Sequence, residues 1–246
     1  MKLAEFIKAH VDEINENNFT KVYEDAYELL ANYEIGEFTD ILIAAKINPL
    51  LYMSRIPNNY MSMSKQESLE IPNNITTISW WAFYNAKSLT EIEIPDNVSS
   101  MNGPVFMGCD KLRHVALSNS IKTLGPGLFS GCFELTNIEI PKNVTSIKRD
   151  TFSDCTKLSN ITIPESVKSI GDFAFSGCHS LTDVMLPNSL VEIGNGAFYD
   201  CVSLVNIHFD GTKEQWRAIK KGNEWNKLTS SYTVHCINGT LHKGGR

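Results

Sequence analysis

The feature that most constrains this chain is a period. Leu89, Leu112, Leu135, Leu158, Leu181 and Leu204 recur every 23 residues. Phe83, Phe106, Phe129, Phe152, Phe175 and Phe198 keep the same step, and so do Cys109, Cys132, Cys155, Cys178 and Cys201. Ala86 holds the cysteine's place in the first full coil. Branched residues fill further columns, such as Ile92, Val115, Ile138, Ile161, Val184 and Ile207. Self-similarity at this spacing marks a stack of short coils. One coil cannot bury its own apolar row, whereas stacking buries every row against the next.

The pattern inside a coil says how it folds. In LTNIEIP (135–141), apolar residues alternate with Asn137 and Glu139. Period two is a strand with one buried face. Pro72, Pro95, Pro141, Pro164 and Pro187 end these strands, because proline has no N–H for the ladder. A second apolar pair, Val144 and Ile147 in this coil, returns the chain across the core. The stretch holding Phe152 and Cys155 is expected to form a short helical or 3₁₀ turn, with Gly131, Gly177, Asp154 and Asp200 at a tight turn before the cysteines. The fold class is thus an α+β repeat protein, a right-handed solenoid with a parallel sheet.

Three parts follow. Residues 1–54 read as a helical N-terminal segment, with apolar periodicity in Leu3, Phe6, Ile7, Val11 and Ile14, and again through Val22–Leu30 and Phe38–Ala45. Residues 55–203 are the repeats, and the first coil is degenerate: RIPNNY (55–60) echoes EIPNNI (70–75). Residues 204–246 hold the last strand and a cap. In the cap, KEQWRAIKKG reads as a helix with Trp216 and Ile219 inward and Lys213, Arg217, Lys220 and Lys221 in solvent, and YTVHC (232–236) reads as an added edge strand.

The segments LTNIEIPKNVTSIKRDTFSDCTK and LSNITIPESVKSIGDFAFSGCHS closely resemble BspA-like (Treponema-type) leucine-rich repeats. The resemblance runs over about residues 66–226. It implies a leucine-rich-repeat solenoid. For function it implies two settings. Exported members are similar to adhesins that bind host matrix proteins, and others are intracellular or bacteriophage proteins with unassigned partners. Here Glu5, Asp12, Glu13 and Glu16 interrupt the first residues, so a signal peptide is not expected and the chain is read as cytoplasmic. No apolar run is long enough to span a bilayer.

Chemistry is sparse. The cysteines stand 23 apart with no C-x-x-C pair, which favours stacked, reduced core thiols over zinc or disulfides. Cys236, His235 and His242 lack a fourth ligand, so no metal or cofactor is expected. No phosphate loop or nucleophile elbow appears, and no enzyme activity is expected. Net charge is −6, composed of −4 over 1–65, −6 over 66–203 and +4 over 204–246. The repeats lack the basic stripe of a nucleic-acid binder.

Function is therefore expected on the open strand face, whose outward positions the architecture leaves free. One column runs Glu70, Glu93, Ala116, Glu139, Thr162, Met185, His208. The next runs Glu91, His114, Asn137, Asn160, Asp183, Asn206. Its acidic N-terminal half points to a protein partner with a basic patch. Trp80 and Trp81 stand where later coils carry Gly103 and Pro104, or Lys148 and Arg149. They are either a second contact or a surface packed against the N-terminal helices.

Overall fold

The computed structural model describes residues 55–61, 64–101 and 103–243. The helices expected over residues 1–46, and the boundary at residue 54, lie outside the described residues. In chain order the strands are β1 (Arg55–Ile56), β2 (Thr77–Ile78), β3 (Glu91–Glu93), β4 (Ser100–Met101), β5 (His114–Ala116), β6 (Thr123–Leu124), β7 (Ser146–Ile147), β8 (Asn160–Thr162), β9 (Ser169–Ile170), β10 (Asp183–Leu186), β11 (Glu192–Ile193) and β12 (Asn206–Phe209). Helix α1 (Lys213–Ala218) follows, then β13 (Lys220–Lys221), β14 (Thr233–Cys236) and β15 (Gly239–His242).

These strands make a parallel solenoid with two strand ladders. One face carries β3–β5 and, further on, the five-stranded order β15-β14-β12-β10-β8. A second flank carries β1-β2-β4 and then β13-β11-β9-β7-β6. The apolar pair that returns the chain thus forms a ladder of its own: Ser146 and Ile147 pair with Ser169 and Ile170. Registers of 23 residues set Glu91 opposite His114 and Asp183 opposite Asn206.

The core is a set of columns along the axis. The six phenylalanine rings from Phe83 to Phe198 are fully buried and stack almost parallel, with centroids 5.0, 5.5, 5.5, 5.2 and 5.1 Å apart. Burying each such side chain stabilises the fold by roughly 1.5–3 kcal/mol. Beside them lie five buried cysteines. Each thiol donates to the carbonyl of a phenylalanine in the previous coil, as Cys155 does to Phe129 O at 3.3 Å and Cys109 to Phe83 O at 3.0 Å. Burial pushes the Cys109 and Cys201 thiols up to about 12, and holds Cys132, Cys155 and Cys178 well above the usual thiol range.

The segment joining the ladders is neither α- nor 3₁₀-helical. Asp150, Phe152 and Asp154 give their N–H groups to the next coil (Asp172, Ala174 and Ser176 O), while Ser153 and Cys155 bond back within their own turn. Alternation of this kind needs left-handed residues, and Asp150 and Asp154 adopt them (φ 55 and 59). Gly131 and Gly177 take that conformation at the same place (φ 73 and 71), so the glycine or aspartate before each cysteine is set by the backbone.

The ends depart from the expectations in three places. First, RIPNNY does not occupy the place of EIPNNI. Ile56 pairs with Ile78 at a spacing of 22, so this stub supplies the second strand of its coil. Second, α1 stops at Ala218, and Lys220 and Lys221 form β13 against Glu192 and Ile193. The helix starts on a capping box, in which Thr212 Oγ1 accepts from Gln215 N–H and Gln215 Oε1 accepts from Thr212 N–H. Lys221 Nζ then donates to the carbonyls of Trp216 and Ile219 at the other end, at 2.6 and 3.1 Å. That is the favourable place for a cation on a helix, and burial lowers this amine's pKa. Third, YTVHC is not the edge. β14 lies between β12 and β15, and an antiparallel turn of chain covers it.

Candidate binding face

Side chains alternate along the first set of strands. Ile92, Val115 and Ile161 point inward and are buried, while Glu91, Glu93, His114, Ala116, Asn160 and Thr162 point outward and are exposed. The outward side chains floor one trough. Its N-terminal part is lined by Glu70, Glu91, Glu93 and His114. Its middle shares His114 with that part and adds Asn137, Glu139 and Lys142. Its C-terminal part shares Asn137 and Glu139 and opens into a bay of about 1370 Å³ that includes Asn160, Thr162, Met185, His208 and His235.

The trough is one-signed. Its lining includes the carboxylates Glu70, Glu91, Glu93, Glu139, Glu165 and Asp210 against a single lysine, Lys142. Several acids elsewhere on the coils are paired with a cation. Lys87 meets Asp110 at 2.7 Å, Lys157 meets Glu134 at 2.7 Å, and Lys220 meets Glu192 at 2.7 Å. The Lys157 ammonium lowers the Glu134 carboxyl accordingly. Among the described residues no lysine or arginine pairs with a trough carboxylate.

Two local features shape the trough. The strand ladder opens at Asn137–Ile140. Ile94 N–H reaches Ala116 O and Ile163 N–H reaches Met185 O, yet among the described residues Leu117 and Ile140 make no equivalent bond. The ring stack is also widest there, at 5.5 Å on both sides of Phe129. At the C-terminal end, Asn206 Nδ2 donates to Asp183 Oδ1 at 2.9 Å, and its Oδ1 faces His235 Nε2 at 3.0 Å. The Thr182 hydroxyl and the Asn206 amide hold the Asp183 carboxyl below its usual range. His208 and His235 stack at 4.9 Å, with His208 Nε2 3.6 Å from Asp183.

Of the residues singled out in the sequence, Glu70, Glu91, Glu93, His114, Asn137, Glu139, Asn160 and Asp183 lie on this trough or at its floor. Trp80 and Trp81 do not line it. They sit in the turn after β2, 49% and 41% exposed, edge to face at 5.9 Å. Trp80 covers Gly103, where a Cβ would lie 2.8 Å from its ring. Glu165 and Lys142 were legible as the column that follows the prolines. His235 and Ile237 were not, because they enter through the cap. No group of three metal-ligating side chains occurs among the described residues, and no helix there is long and apolar enough to cross a membrane.

A stack of short coils with an open, side-chain-built trough defines a repeat scaffold, an architecture that typically binds and does not catalyse. The BspA-type leucine-rich-repeat model matches residues 54–166 and 145–221 in six copies, and the chain belongs to that family. It is similar to a leucine-rich-repeat protein of Bacteroides ovatus, at 22% identity over 75% of this chain and 60% of that one, with a TM-score of 0.52. It is similar to a leucine-rich cell-surface protein of Faecalibacterium prausnitzii at 30% identity, over 64% of this chain and 35% of that one, with a TM-score of 0.45. The T. pallidum leucine-rich-repeat protein matches at 26% identity over 71% and 75%, with a TM-score of 0.41. The chain thus spans 35% and 60% of the first two. No curated protein matches it.

Proposed function

We propose that this protein is a protein-binding scaffold whose trough docks a basic patch on a partner. One observation carries the reading: the trough gathers Glu70, Glu91, Glu93, Glu139, Glu165 and Asp210 against a single lysine, and none of these carboxylates has a lysine or arginine partner among the described residues. Such a surface speeds encounter with a cationic partner and fixes its orientation. It repels phosphate backbones. The exposed Trp80–Trp81 pair is the second candidate contact, since indoles are enriched where interfaces concentrate their energy.

The test is affinity capture from a bacterial lysate, comparing wild type with Glu91→Lys, Glu93→Lys and Glu139→Lys combined. The trough reading expects a partner that wild type holds and the variant loses. A partner held equally by both moves the contact to Trp80–Trp81. The six free cysteines support an intracellular setting, in which a phage-encoded scaffold that blocks a host factor is the specific version. Recovery of the protein at the cell surface would favour an adhesin in its place.

A further inference from the structure

We infer that Trp80 and Trp81 form a binding corner for a trimethylammonium group of choline type. The corner stands apart from the trough, which neither ring lines, and it does not depend on what the trough docks. It follows from how the two rings sit. A Cβ on Gly103 would stand 2.8 Å from Trp80 Cδ2 and 3.1 Å from both of its bonded neighbours, Cγ and Cε2. A point nearest one ring atom and equally far from the two beside it lies over the ring's face. One face of Trp80 therefore rests on the Gly103 backbone, and the other is left to solvent. The Trp81 ring stands at 77° to it, with centroids 5.9 Å apart. The pair makes a floor and a wall.

The backbone holds this shape at a cost. Trp81 is left-handed (φ 57), a conformation disfavoured for so bulky a residue. Later coils place Gly127, Asp150 and Gly196 at that position. Two hydrogen bonds hold the Trp81 carbonyl, one from Asn59 N–H in the coil before and one from Tyr84 N–H in its own turn, both at 3.0 Å. Phe173 shares the left-handed backbone, but Asp172 precedes it, so among the described coils only this one offers two rings.

The ligand follows from charge and shape. Residues 57–61, 79–86 and 103–108, which form this turn and its neighbours on either side, include no charged side chain. Attraction for a cation then comes from the indole faces. A lysine ammonium is strongly hydrated and would give up water here with no carboxylate to replace it. A guanidinium is planar, so it stacks on one face only. A trimethylammonium group is round and weakly hydrated, and it meets floor and wall together. A neutral group of the same shape would fit the corner but gain nothing from the ring quadrupoles.

The probe is choline, titrated into the isotope-labelled full chain at constant ionic strength and followed at the indole N–H signals by NMR. One control is guanidinium chloride. The other is the neutral carbon isostere of choline, with a tert-butyl group in place of the trimethylammonium. The inference expects shifts at the Trp80 and Trp81 indoles and none at Trp216 and Trp225, with choline held about fivefold tighter than either control. Trp81→Leu removes the wall, and Gly103→Ala lifts Trp80 off its seat, so each should weaken choline about fivefold or more. Gly103 is itself left-handed (φ 99), and Trp80→Leu serves should that variant misfold. An isostere bound as tightly as choline reduces the corner to a plain apolar contact and overturns the inference. Guanidinium bound as tightly overturns it too, as do shifts spread evenly over all the indoles or absent from the pair. Where choline binds as expected, phosphatidylcholine vesicles separate its sources. Flotation of wild type that Trp81→Leu loses assigns a lipid headgroup, and no flotation assigns a free choline-type ligand.

Discussion

Titration from pH 8 to pH 11 tests the role of the thiol column directly. Five cysteines are buried in the fold and become solvated when it unfolds. An unfolded thiol ionises near its ordinary value of 9.0, whereas burial keeps the folded ones protonated to about 12 at Cys109 and Cys201 and well above 9.0 at the other three. The folded value is the raised one, so the stability these groups confer is complete below the unfolded value and is lost as pH rises toward the folded one. At pH 10 each thiol favours the unfolded chain by about 1.4 kcal/mol, and five together by about 7 kcal/mol. Domain stability is about 5–15 kcal/mol, so unfolding is expected near pH 10. Far-UV circular dichroism against pH, with urea titrations at pH 8, 9 and 10, reads the slope. Cys155→Ala sharpens the test. Phe129 O keeps its bond from Cys132 N–H after the thiol is gone, so the change costs only about 1 kcal/mol at pH 7. Above pH 9 the variant should hold better than its neutral-pH stability predicts, because one titrating group has been removed. An alkaline slope that is the same in wild type and Cys155→Ala would refute the argument.

Three further outcomes are expected. Phe152→Ala removes a ring with neighbours at 5.5 and 5.2 Å and should cost about 3–5 kcal/mol in urea denaturation; a loss under about 2 kcal/mol would mean the stack collapses around the gap. Hydrogen exchange should find the amides of Asn137–Ile140 faster than those of Ile161 and Val184, because the ladder opens there; uniform protection along the face would contradict it. Of the six cysteines only Cys236 is partly exposed, so a thiol reagent at pH 8 should label one site quickly and the other five only on unfolding.

Capping and charge pairing show where residue patterns stop informing. Lys220 and Lys221 look like two more residues of a helix, since KEQWRAIKKG has no internal breaker. Only docking against β11 turns them into a strand and brings Lys221 onto the carbonyls of Trp216 and Ile219. The stub RIPNNY shares IPNN with EIPNNI, yet its neighbour is Thr77–Ile78, because pairing follows the buried Ile56 and not the likeness of the turn.

The repeat itself needed nothing but the chain. A period of 23 with the same apolar columns in every coil admits one arrangement that buries them all, so the stacked phenylalanines, the thiol column and the outward glutamates follow from the letters alone. Positions without a copy elsewhere in the chain do not follow. The β14–β15 cover and the opening at Asn137–Ile140 depend on distances between coils, and no local pattern encodes those. Charge pairing divides between the two: the period sets Lys157 one coil beyond Glu134, where they lie 2.7 Å apart, and Thr162 one coil beyond Glu139, whereas Lys220, outside the repeat, meets Glu192 at 2.7 Å only because β13 docks against β11.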